Sequence, residues 1–262
     1  MNDVLLESVR ASFITVVLCL TRMTVASLVA PFMAGESVQL PVRMSILASL
    51  SLVVFPMVAP TIPGAMPPAL MAGVFLKEAA LGFMLGFMAS KLFWIALGIG
   101  MVMDNQRGST LAEMLDPSSN EQTSPTGQFL QQALIALFYT CGGFLLYLTA
   151  MFESYHVWPV FEFFPHFSAA FPQFFLGQLD DIMRTTVVLG APLLITLFIS
   201  EFGLGLINRF APQLNVFFLA MPVKSLVAFI VLVFYLPFLT DYFCQDIHKT
   251  GNILDWLRGV IS

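Results

Sequence analysis

The sequence predicts an all-α, polytopic, membrane-associated protein made of helical hairpins with proline-broken helices. Of its 262 residues, 58% are hydrophobic and only 10% charged, and mean hydropathy is +0.87. Soluble domains average roughly 25% charged residues, so a water-soluble globule is excluded. Apolar runs cover about 11–35, 44–60, 69–103, 128–152, 185–207 and 214–240, several of them exceeding the ~20 residues that cross a bilayer. Prolines and polar clusters punctuate these runs, which sets the hairpin pattern.

The first run carries Arg22 and follows Asp3, Glu7 and Arg10. That is the wrong charge pattern for a signal peptide, so the run is expected to be retained. Pro56, Pro60, Pro63, Pro67 and Pro68, with Gly64, are expected to interrupt any helix between 55 and 68. The third run holds Lys91, and its Gly82, Gly86 and Ser90 recur every four residues. This small-residue stripe would admit a close neighbouring helix.

A polar central loop is expected over 104–127, with Ser124 and Pro125 as the cap and first turn of the next helix. In 153–184, seven phenylalanines (161, 163, 164, 167, 171, 174 and 175) surround Pro165 and Pro172. So aromatic a segment should pack on protein or at an interface. Asp180 and Asp181 read as a solvated helix start. At the end of the chain, Asn252 and Asp255 resemble a cap, with Ile253, Leu254, Leu257, Val260 and Ile261 on one face of an amphipathic tail. The organisation is one domain over 1–262: N-terminal helices to 103, the central loop, hairpins over 128–240, and the tail from 241.

The densest polar group within apolar sequence is Glu201, Asn208, Arg209, Gln213, Asn215 and Lys224, around Pro212 and Pro222. An arginine at a helix centre costs about 2.5–3.5 kcal/mol on insertion scales, so Arg209 should have a partner or a wet surface. Pro212 removes a backbone donor where these side chains gather, and a kink or break is expected there. A snorkelling arginine on a kinked transmembrane helix is the simpler alternative. A second polar set is Asp104, Arg107 and Glu113, beside Gly108. Such groups line wet paths or bind partner subunits.

Other chemistries fare poorly. The net charge of −5 is thinly spread, which argues against nucleic acid. Cys19, Cys141 and Cys244 are odd in number and far apart, and read as packing residues, not as a disulfide framework or a zinc site. His156 and His166 lack metal-ligand spacing, and Gly203 and Gly205 lack the third glycine of a dinucleotide fingerprint. No catalytic residue, metal or cofactor is expected. Lys and Arg counts give no clear orientation in the membrane.

Two segments carry a family resemblance. The run Asn208 to Phe217 (NRFAPQLNVF), followed by Met221-Pro222-Val223-Lys224, resembles the signature of the SctT/FliR/SpaR export-apparatus proteins of bacterial type III secretion systems. Met103 to Gly108 (MDNQRG), on to Leu115-Asp116-Pro117, is similar to their central loop. Arg22, Pro31-Phe32, Pro41 and Arg43 fit the pattern less specifically, and Tyr155 to Pro159 (YHVWP) leans toward the injectisome branch. The similarity extends over nearly the whole chain.

The resemblance implies a conical helical hetero-oligomer in the bacterial inner membrane. Its partners are SctR/FliP-like and SctS/FliQ-like subunits, with an SctU/FlhB-like switch protein at the cytoplasmic mouth, and its cargo is unfolded protein. On this chain it implies a pore or gate loop with Asp104, Gln106, Arg107, Gly108, Glu113, Asp116 and Pro117. It implies subunit-contact or helix-break roles for Asn208, Arg209, Pro212, Gln213, Asn215, Pro222 and Lys224. A pure assembly scaffold would lack the gating role. A small-molecule secondary transporter with a site near Pro212 is the alternative from another class, but it should show an internal repeat, and none surrounds the two proline-rich breaks.

Overall fold

A computed structural model describes residues 2–34, 39–59, 67–108, 124–162, 171–210 and 216–250. Helices dominate, and no strand occurs among the described residues. In chain order they are α1 (Asn2–Val29), α2 (Pro31–Ala34), α3 (Leu40–Val58), α4 (Pro68–Arg107), α5 (Pro125–Thr140), α6 (Gly143–Val157), α7 (Phe171–Phe210) and α8 (Val216–Thr250). Helix is what this composition demands, because each backbone donor finds its acceptor within the segment and needs no water. Five described helices are long and apolar enough to cross a membrane, or six if α5 and α6 together form one span.

The chain divides into two compact units. The first takes residues 1–91, 142–174 and 249–262; the second takes 92–141 and 175–248. In the first, α4 lies against α1 along the expected small-residue stripe. A methyl group at Gly82 would collide with the Arg22 carbonyl, and one at Gly86 would come within 2.6 Å of the Ala26 carbonyl oxygen. Ser90 Oγ donates to the Val29 carbonyl at 3.0 Å. Buried Cys19, Met23 and Ala26 of α1 and Leu81 and Leu85 of α4 belong to this packing. Phe32 of α2 meets Tyr147 of α6 edge to face at 5.0 Å.

In the second unit, contacts fix the helix directions. Gly100 of α4 faces the backbone of Gly127, while Phe93 meets Phe138 at 5.3 Å, so α5 runs antiparallel to α4. Gly98 faces Thr186 and Gln106 faces Glu201, so α7 runs parallel to α4. Glu201 pairs with Lys224 on α8.

Several expectations need correction. The helix break expected between 55 and 68 is present, since α3 stops at Val58 and α4 starts at Pro68, but Pro56 itself lies inside α3. A proline removes one donor and crowds one carbonyl, and neighbouring turns absorb both. Pro192, Pro222 and Pro237 likewise sit inside α7 and α8. The central loop is shorter than its polarity suggests, because Asp104 to Arg107 complete α4 and Pro125 already begins α5. Asp180 and Asp181 are exposed but lie well inside α7, which starts at Phe171. Cys141 and Cys244 are not separate packing residues: they come together across 103 positions with Cα atoms 6.3 Å apart, while Cys19 is buried away from them.

Within the aromatic 153–184 segment Tyr155, Trp158 and Val160 are buried and Phe161, Phe174 and Phe175 half-buried, whereas His156, Leu176, Leu179 and Met183 are exposed. Phe163, Phe164, Phe167, Pro165 and His166 lie outside the described residues, as does the tail from 251.

Candidate functional site

In the second unit, members of the two polar sets that the sequence keeps about a hundred residues apart, Asp104, Arg107 and Gly108 with Glu201 and Lys224, form one cluster. Its centre is Asp104 in the last turn of α4, 2% exposed. Asp104 Oδ2 accepts hydrogen bonds from Ser124 Oγ at 2.6 Å and from the Thr126 backbone N–H at 3.0 Å. Ser124 is the cap of α5, as its sequence predicts, with extended backbone and its Oγ accepting from the Gly127 N–H at 3.0 Å. A carboxylate here answers the exposed amides and the positive end of the helix dipole.

The other oxygen of Asp104, Oδ1, meets Arg107 Nη2 at 2.8 Å. The Arg107 guanidinium also lies 5.1 Å from the centre of the Phe229 ring on α8, within cation–π range. Its Nε–H has no acceptor among the described residues. Gly108 follows with φ 90°, a left-handed conformation that suits glycine and ends α4 by turning the chain out of it.

A second ion pair adjoins the first. Lys224 Nζ, buried at the end of its side chain, reaches Glu201 Oε2 at 3.0 Å and lies 3.5 Å from the Gln106 carbonyl oxygen. Gln106 Nε2 approaches the same Glu201 oxygen at 3.4 Å. Four helices thus converge on two acids and two bases whose charges cancel.

Asp104, Gln106, Arg107, Gly108 and Lys224 therefore come together, whereas Asn208 and Arg209 do not join them. Both are exposed at the far end of α7, and Pro222 is exposed within α8. Glu113, Asp116, Pro117, Pro212, Gln213 and Asn215 lie outside the described residues.

The first unit hides a charge network that the sequence reading named only through Arg22. That side chain has no exposure. Its Nε and Nη2 donate to the two Glu78 oxygens at 2.7 and 2.9 Å, a bidentate pair. Nη1 donates to Ser154 Oγ at 3.0 Å and Nη2 to the Trp158 carbonyl at 3.0 Å. The guanidinium packs 4.1 Å from the centre of the Tyr155 ring. Lys77 Nζ adds an ion pair to Glu78 at 3.0 Å and donates to the carbonyls of Pro159, Val160 and Glu162.

Arg22 and Lys77 share Glu78, and the Glu162 carboxylate also attracts Lys77. The two cations sit beyond the C-terminal end of α6, where helix carbonyls and dipole favour positive charge. Lys77 and Glu78 could have been found in the sequence as adjacent opposite charges inside the third apolar run, needing a partner such as Arg22.

Comparison with known proteins agrees with this membrane-borne, polar-cored helical chain. The model of the bacterial export proteins, family 1, matches residues 13–250. The chain belongs to that family. It is 42% identical over 233 residues to Yop proteins translocation protein T of Yersinia pestis, covering 87% of this chain and 88% of the relative. It is 32% identical over 195 residues to the surface presentation of antigens protein SpaR of Salmonella typhimurium, covering 72% of each. With the flagellar biosynthetic protein FliR of Bacillus subtilis, identity is 29% over 158 residues, or 60% of this chain and 61% of the relative. It is thus an SctT/FliR/SpaR protein, a component of a type III export apparatus and a multi-pass inner-membrane protein. Its family consists of structural subunits of the secretion apparatus, not enzymes.

Proposed function

We propose that this export-apparatus protein forms, with SctR/FliP-like and SctS/FliQ-like subunits, the entry pore for unfolded proteins at the inner membrane, and that residues 109–123 help hold the resting pore shut. The observation that carries the proposal is the double anchorage by Asp104. One carboxylate holds the exit of the segment through Ser124 and Thr126, and its entry through Arg107. Loop closure is therefore fixed by buried, charge-assisted bonds, and the 15 residues between have both ends held at one place. A polar segment pinned in an apolar assembly suits a gate better than a linker. The spare Nε–H of Arg107 offers a further bond to the segment or to a neighbouring subunit.

Glu113, Asp116 and Pro117 belong to the gate segment in this reading. Lys224 with Glu201 braces α7 against α8. Asn208, Arg209, Pro212, Gln213, Asn215 and Pro222 form the contact region toward partner subunits, or toward the SctU/FlhB-like switch protein.

Removing residues 109–115, while keeping Asp104 to Gly108 and Ser124, should raise ion leakage across the inner membrane in assembled machines. Normal assembly with an unchanged leak would leave the segment a scaffold element and end the gating reading.

A further inference from the structure

Cys141 and Cys244 meet within the second unit, Cys141 just after α5 and Cys244 near the end of α8. Their Cα atoms are 6.3 Å apart, inside the roughly 4.4–6.8 Å that a disulfide spans without moving the backbone. The polar cluster lies at the opposite ends of these same two helices. From Ser124 to Cys141 along α5 is about 25 Å, and from Lys224 to Cys244 along α8 about 30 Å, at ~1.5 Å per residue. That is roughly the thickness of a bilayer's hydrocarbon core, ~30 Å.

We infer that Cys141 and Cys244 form a disulfide in the mature chain and that the end of the second unit carrying them faces the periplasm. Disulfides form and persist in the bacterial periplasm, whereas cytosolic thiols are kept reduced, so the pairing names the periplasmic side. In the reaction the two thiols give up two protons and two electrons and one S–S bond forms. The acceptor is the disulfide of a periplasmic thiol oxidant, which becomes a dithiol. The inference uses the membrane location of the chain and not the gating role, so either can fail alone.

The test counts thiols in the full-length protein within intact cells. Cells are quenched in acid, the chain is denatured, and a maleimide carrying a polyethylene glycol chain is added with or without prior reduction. One adduct, at Cys19, is expected without reductant, and three after it. Cys141→Ser should give two adducts without reductant. Three adducts from the unreduced wild-type chain would overturn the cross-link.

Orientation is read on Cys19→Ser/Cys141→Ser, in which Cys244 is the remaining thiol. A membrane-impermeant maleimide added to spheroplasts should label it. Labelling only at the outer face of inverted vesicles, which is the cytoplasmic face, would overturn the assignment of sides.

Discussion

Arg22 shows how a charge survives in an apolar helix: all three nitrogens of its guanidinium donate to Glu78, Ser154 or the Trp158 carbonyl. Removing one partner of a buried pair typically costs about 3–5 kcal/mol, because the other charge is stranded. Arg22→Ala should therefore lower the thermal midpoint of the detergent-solubilised subunit sharply and reduce its level in membranes. Arg22→Ala with Glu78→Ala should cost less than the two single changes added, which a double-mutant cycle of melting data would show. Asp104→Ala should act differently. Ser124 remains the α5 cap, but its hydroxyl and the Thr126 N–H lose their acceptor and Arg107 is released, so the leak should rise while the protein still accumulates. Equal leak in Asp104→Ala and wild-type membranes would argue against the anchor. At this scale the sequence marked the polar residues of the apolar runs but not the surroundings that each of them meets. Arg209 stood out because it lies among amides and a proline, yet it is exposed in this chain, while the wholly buried arginine is Arg22. Burial depends on which helices meet, and a single apolar run does not say.

Helix packing turns on glycine positions that differ in kind. Gly82 and Gly86 face the α1 backbone, which cannot move aside as a side-chain tip can. Gly82→Val or Gly86→Val should separate α1 from α4 at a cost of about 1–3 kcal/mol by overpacking, read as a lower melting midpoint. Gly190 on α7 has nothing within 4 Å of where a Cβ would stand. There Gly190→Ala should leave the isolated subunit unchanged or stabilise it by up to about 1 kcal/mol, since alanine favours helix. The four-residue stripe made the first interface readable in advance, and Ser124-Pro125 did the same for the start of α5, because both are local patterns. Three features were not readable: the continuation of α3 through Pro56, the early start of α7, and the Cys141–Cys244 pairing. Each depends on neighbours distant in the chain. The union of Asp104 and Arg107 with Glu201 and Lys224 has the same origin, since only the antiparallel course of α4 and α5 and the docking of α7 and α8 bring them together.

At the scale of the whole molecule, α7 and α8 leave large apolar side chains uncovered. Phe198, Ile199, Phe202, Phe234 and Phe238 are each more than half exposed in this chain. Lipid or sister subunits must cover such a surface, and Arg209 and Asn208 decide between them at the end of α7. A guanidinium exposed beside Ile207 and Phe210 is poorly served by hydrocarbon but well served by carbonyls or acids on another protein. Arginine is also enriched among residues that dominate protein contacts. If Arg209 makes such a contact, Arg209→Ala should leave the melting of the isolated subunit within about 0.5 kcal/mol of wild type, as surface changes do. The same change should weaken co-purification with the SctR- and SctS-like partners, by roughly tenfold for a contact worth 1.4 kcal/mol. Arg209→Lys should restore only part of the binding, because an ammonium lacks the planar fork. Full recovery of the partners with Arg209→Ala, together with lost secretion, would move Arg209 from the subunit interface to the path of the exported chain.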